Sequence, residues 1–168
     1  MQVLAFASGS EVIAAQGQTL GPGGWLQIDQ ARIDAFACAS NDHQWIHVDP
    51  ERASAGPFGC TIAHGFLSLS LVAPILGQLL RFEHLALSLN YGCNKVRFPA
   101  PVPVGSRLRG SGELLHAERI STQPDTVQAV IRVTLEIEGH SKPACVAESI
   151  TRWTFDPQIA GPGGIAGA

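Results

Sequence analysis

The clearest signal along the chain is alternation. Val127, Ala129, Ile131, Val133, Leu135 and Ile137 recur at every second position, with mostly polar residues between them. A period of two is that of an extended strand with one face buried. Three more stretches, LALSLNYGCNKVRF, SRLRGSGELLHAERI and KPACVAESITRWTF, read as strands divided by turns. The pattern is different before them. In QARIDAFACAS, Ile33, Phe36 and Ala37 fall at i, i+3 and i+4, the stripe of an amphipathic helix, and Asp29 stands where an N-cap belongs. A short strand at Trp25, Leu26 and Ile28 leads into that helix. TIAHGFLSLSLVAPILGQLLR stays apolar for about five turns, and its length predicts one long helix buried on most sides. Pro74 is its weak point, since an internal proline removes a hydrogen bond.

A long helix followed by four antiparallel strands is an α+β pattern, with one sheet face packed on the helix. GPGG at Gly21–Gly24 predicts a turn that sets an N-terminal segment apart from the main body. A second GPGG at Gly161–Gly164 lies in a tail, residues 157–168, that is expected to be flexible. A length of 168 residues suits a single domain, 1–168.

Composition narrows the partners. The chain is 45% hydrophobic and only 15% charged, which argues against disorder and suggests surface buried against another subunit. A net charge of −3 gives no basic face for nucleic acid. The apolar start has no basic leader region and is broken by Ser8, Gly9, Ser10 and Glu11, so neither a signal peptide nor a membrane span is expected and the default location is the cytoplasm. The four cysteines form no CxxC pair and no zinc spacing; Cys38, Cys60 and Cys145 read as buried free thiols.

Candidate chemistry gathers in three places. SNDHQWIHVDP carries Asp42 and His47 in a loop just after the first helix. A carboxylate and an imidazole flanking one water can move protons both ways near neutral pH. The competing reading is an Asx-type turn with solvated histidines. His43 and His47 make half a metal site at i, i+4, but no HExxH pattern or cysteine partner completes it, so no metal is expected. His64-Gly65 stands at the expected start of the long helix, where backbone N–H groups are unpaired and a glycine lets a ligand oxygen approach; tight packing would equally require glycine. KVRFPAPVPVGSRLRG places Lys95, Arg97, Arg107 and Arg109 around a proline-rich bend, either as phosphate contacts or as the solvent face of two strands. Ser68 and Ser70 lie outside any nucleophile elbow; their hydroxyls bond back to the helix, or one faces the site.

Taken together, FACASNDHQWIHVDPERA, AHGFLSLSL and VRFPAPVPVGSRL resemble the MaoC-like, (R)-specific enoyl-CoA hydratase family, and within it the nodulation-protein-N-like members, over about residues 24 to 155. The family motif S/T-G-D-x-N-P-x-H appears as Ser40-Asn41-Asp42-His43-Gln44-Trp45-Ile46-His47. Asn41 replaces glycine, Gln44 asparagine and Trp45 proline; asparagine tolerates left-handed backbone angles better than most residues. The resemblance implies the hot-dog fold, an antiparallel sheet wrapped around a long central helix, and a homodimer that joins sheets edge to edge. It implies Asp42 and His47 as the catalytic pair and Gly65 as the oxyanion donor. For substrate contacts it suggests Trp45 as a pocket wall and Ser70 one turn from the family's serine position; of the basic residues at the proline bend, Arg97 and Arg107 are the candidates for phosphate contact. The activity implied is reversible hydration of trans-enoyl-CoA thioesters to (R)-hydroxyacyl-CoA, with no cofactor beyond the coenzyme A of the substrate. A hot-dog acyl-CoA thioesterase and a non-catalytic acyl-binding subunit are the alternatives.

Overall fold

The computed structural model describes residues 2–159 and 162–163. Of the tail expected to be flexible, residues 160–161 and 164–168 lie outside that range. The four strands read from the pattern are present as β5 (Leu85–Arg97), β6 (Arg107–Thr122), β7 (Asp125–Ile137) and β8 (Cys145–Phe155). They form one antiparallel sheet in the order β6-β7-β8-β5, with short strands β2 (Thr19–Leu20) and β3 (Leu26–Gln27) both pairing β6. In β7 all six alternating apolar residues are buried, none more than 2% exposed, while Arg132 and the other intervening residues face outward. The strand pattern was therefore a burial pattern.

The expected long helix is present but interrupted. It runs as α5 (Gly65–Ser70) and α6 (Val72–Leu79), with Leu71 between them. Pro74 is the third residue of α6 and has no N–H to give the Ser70 carbonyl, so the ladder lapses there and restarts with Ile75 N–H donating to Leu71 O at 3.1 Å. The two pieces still fill the concave face of the sheet. Leu67, Leu71, Ile75, Leu76 and Leu79 join the β7 residues in one core. Gly110 of β6 makes this approach possible: a Cβ there would lie 2.4 Å from Ile75 Cγ2. An antiparallel sheet curled around a central helical segment is the hot-dog fold.

The N-terminal segment is not set apart by the first GPGG. Its β1 (Leu4–Phe6) pairs in parallel with β4 (Leu80–Glu83), and β9 (Pro162–Gly163) flanks β4 on the other side. α1 (Gly9–Ala14), capped by Ser8, buries Val12 in the shared core beside Leu4, Phe6 and Leu20. Those apolar residues need the sheet end as a partner, which binds the segment to the domain. The cysteines also correct the sequence reading. Cys145 is buried, but Cys38 is exposed and Cys60 partly so. Cys38 follows the buried Ala37 on its helix by about 100° and so turns off the apolar stripe. No helix among the described residues is long and apolar enough to cross a membrane.

Candidate active site

The loop with Asp42 is set by the end of α2 (Gln30–Ser40). Asp29 caps that helix at its start, accepting from Arg32 N–H at 2.9 Å, and Ile33 and Ala37 anchor it in the core. At its other end Asn41 adopts the left-handed conformation, φ 58°, and the Asp42 N–H closes back onto Ala37 O at 3.2 Å. Asparagine can thus do here what the family's glycine does. Asp42 leaves this turn exposed, with its Oδ1 accepting from Gln44 N–H at 3.4 Å, the Asx turn expected of a structural loop.

His47 lies not in a loop but in the single turn α3 (Trp45–Val48), followed by α4 (Pro50–Ser54). It is 6% exposed, so it is not the solvated histidine of the Asx-turn reading. The cause is the extended segment Thr61–His64. Ala63 N–H donates to Val102 O and Val104 N–H to Thr61 O, so the proline-rich bend after β5 holds one edge of this segment in an antiparallel bridge. Ile62 N–H in turn donates to Ile46 O at 3.0 Å, and His47 Nδ1 meets Ile62 O at 2.7 Å. A carbonyl only accepts, so Nδ1 carries the proton and the lone pair of the neutral ring lies on Nε2. Gln30 of α2 donates to His47 O at 2.8 Å and accepts from Thr61 Oγ1, which ties α2, α3 and this segment together.

Sequence reasoning placed His64 only as a helix start. In the structure it is 3% exposed and belongs to the site. Its ring stacks on His47 with centroids 3.7 Å apart and 25° between planes, and its Nε2 donates to the backbone carbonyl of Asp42 at 2.9 Å. A carboxylate oxygen of Asp42 and one ring nitrogen each of His47 and His64 lie within 4.8 Å of one another. Two hydrogen bonds of about 2.8 Å to one water span such a gap.

Burial lowers the His47 pKa from its ordinary value of 6.5; the bond to Ile62 partly offsets this, neighbouring His64 lowers it further, and Asp42 opposes. The imidazole is therefore neutral at pH 7 and able to accept a proton at Nε2.

His47, Gly65 and Ser68 line one cavity of about 320 Å³, walled by Phe58, Phe98 and Val102. Gly65 is the first residue of α5, and its N–H donates to no group among the described residues. A Cβ at this position would lie 2.9 Å from the ring of the partly exposed Phe98, so any larger residue would have to displace that ring. The two serines divide as the sequence allowed: Ser70 Oγ bonds back to Leu67 O at 2.7 Å, and buried Ser68 faces the cavity. Ser70 lines a separate cavity of about 270 Å³ with Tyr91 and Cys93, not the one beside His47. Trp45 stacks under Arg52 at 4.5 Å and packs on Gly56. Arg107 is paired with Glu138, and Arg109 with Glu136 at 2.8 Å; both lie over Trp25. Arg97 is exposed and donates to Val96 O. None of Ser70, Trp45, Arg97 and Arg107 lines the His47 cavity.

Residues 11–137 match the family model described as the MaoC like domain. The 3-hydroxyacyl-thioester dehydratase Z of Mycobacterium tuberculosis is 52% identical over 148 residues, covering 88% of this chain and 97% of that protein. Nodulation protein N of Rhizobium leguminosarum is 43% identical, covering 88% and 92%. Among solved structures, the (R)-hydratase from A. caviae involved in PHA biosynthesis superposes with a TM-score of 0.65 at 25% identity, covering 81% of this chain and 94% of that one. The fold, the family match and these relatives agree: the chain is an enzyme of the MaoC-like hydratase/dehydratase family.

Proposed function

We propose that the protein adds water reversibly to trans-enoyl-CoA thioesters, giving (R)-3-hydroxyacyl-CoA. The observation that carries this reading is the approach of the Asp42 carboxylate and a His47 ring nitrogen to within 4.8 Å, with His47 Nδ1 anchored on Ile62 O. A water between them gives one proton to His47 Nε2 while Asp42 accepts its other O–H and fixes its direction. The oxygen bonds to the β carbon, and the π electrons move to the thioester oxygen. The Gly65 N–H at the cavity wall stabilises that enolate oxygen. The imidazolium then returns a proton to the α carbon, which restores the neutral base. This sequence needs no metal or organic cofactor, and coenzyme A enters as part of the substrate. Relatives described as a 3-hydroxyacyl-thioester dehydratase and an (R)-hydratase support the same substrate class.

Incubating the protein with crotonyl-CoA tests the reading. Loss of the conjugated enoyl absorbance without free thiol is expected. Release of free thiol would instead identify a thioesterase, and no change would leave an acyl-binding subunit. The pH profile of kcat/KM is a second check. A base must be neutral to act, and the His47 pKa is lowered, so the acid limb should fall below about pH 6.5 rather than above it. An acid limb clearly above that value would exclude His47 as the base.

We also propose a homodimer joined along β5. This strand ends the sheet, and Leu87, Leu89 and Tyr91 on it are each about half exposed. A thirteen-residue edge strand that exposes three large apolar side chains favours pairing with a second copy. Light scattering at micromolar concentration should give twice the chain mass of 17.7 kDa, and a monomer would contradict the assignment.

A further inference from the structure

His64 does more in this structure than start a helix. Three observations concern it. Its Nε2–H is committed to the Asp42 carbonyl at 2.9 Å, although the two residues lie 22 positions apart. Its ring touches His47 at 3.7 Å and Phe36 of α2 at 5.0 Å. Its Nδ1 is buried and has no partner among the described residues. A polar nitrogen left unpaired in the interior is unfavourable, and an apolar ring of similar shape would avoid the deficit. Core packing alone therefore does not explain a histidine at this place.

The bond from Nε2 does. Asp42 is exposed, and its own side chain makes only the long contact to Gln44 N–H at 3.4 Å. Its direction toward His47 thus depends on the backbone of the turn. Asp42 N–H is held by Ala37 O and Asp42 C=O by His64, so both ends of this residue are tied. The second tie comes from the same residue whose ring face lies on His47. One side chain sets the Asp42 backbone and the plane of the His47 imidazole together.

We infer that His64 is a positioning residue: through its Nε2–H on Asp42 O and its ring on His47, it holds the acid and the base facing one water. The inference rests on the reading of Asp42 and His47 as the catalytic pair. It assigns no proton transfer to His64 itself. A group placed this way alters turnover more than substrate binding, because misdirection of reacting groups by even an ångström is felt in the chemical step.

Three variants, assayed by crotonyl-CoA hydration together with thermal melting, test it. His64→Phe keeps a ring against His47 and Phe36 but has no donor for Asp42 O. His64→Gln keeps an amide N–H at a similar reach. Asp42→Asn reports on the underlying catalytic reading. We expect His64→Phe to lower kcat by about tenfold to a hundredfold with KM within about twofold. His64→Gln should recover kcat to within about fivefold of the native protein, whereas a packing role would favour Phe over Gln. If the Phe variant does not fold, His64→Met, apolar and flexible, carries the same expectation. Normal kcat in His64→Phe, equal losses in Phe and Gln, or a rise in KM alone would each overturn the inference, provided that Asp42→Asn has lost activity. Normal hydration by Asp42→Asn would instead remove the catalytic reading on which it rests.

Discussion

Replacing Asp42 by Asn or His47 by Ala should each lower enoyl-CoA hydration by about a hundredfold to ten-thousandfold, the usual loss when a general acid or base is removed. The two losses should not add. Both side chains act on one water, so the double variant should be little slower than the worse single. The variants should differ in stability. Asp42 is exposed and its carboxylate makes one weak contact, so the Asn variant should melt close to the native protein. His47 is buried and bonded to Ile62 O, so truncation leaves a small void and an unpaired carbonyl. His47→Ala should therefore melt lower while its circular dichroism stays native. Near-normal turnover by either single variant would remove that residue from the chemistry.

The largest stability effect is expected outside the His47 cavity, at Trp153. This residue of β8 is fully buried and sits among Phe6 of β1, Phe82 of β4 and, through Phe82, Phe155, with ring centroids 4.9–6.3 Å apart. It joins the small sheet of the N-terminal segment to the large one. Trp153→Ala should cost about 3–5 kcal/mol, read as a lower urea midpoint with an unchanged slope. The indole N–H has no partner among the described residues, so Trp153→Phe removes an unpaired donor along with some volume and should cost clearly less. A cost for Ala below about 1 kcal/mol would mean that the N-terminal segment is not held through this cluster.

What the sequence disclosed follows from the range of the interactions involved. The strands and α2 were legible because their periods and the Asp29 cap are local: a half-buried strand needs period two, and a helix start needs an oxygen near its free N–H groups. The break at Leu71 was partly legible, since Pro74 marked it, but length favoured an unbroken helix. The burial of His47 was not legible. It depends on Thr61–His64, which is held by Val102 and Val104 about forty residues later, and no local pattern records that contact. His64 was hidden for the same reason. Its bond to Asp42 O joins residues 22 positions apart, and the only signal was a histidine before a glycine at a helix start. The basic residues near the proline bend illustrate the reverse case. Arg107 and Arg109 alternate along β6 and find Glu138 and Glu136 across the strand pair, the solvent-face arrangement that alternation allows.

The central claim is that Asp42 and His47 together direct water to one face of an enoyl thioester. The configuration of the product tests it most directly. Crotonyl-CoA should be converted by the native protein to 3-hydroxybutyryl-CoA that is wholly of the (R) form on chiral analysis, with no product above background from the Asp42→Asn, His47→Ala double variant. Formation of the (S) or racemic product, or the same yield of (R) product from the double variant, would contradict the account.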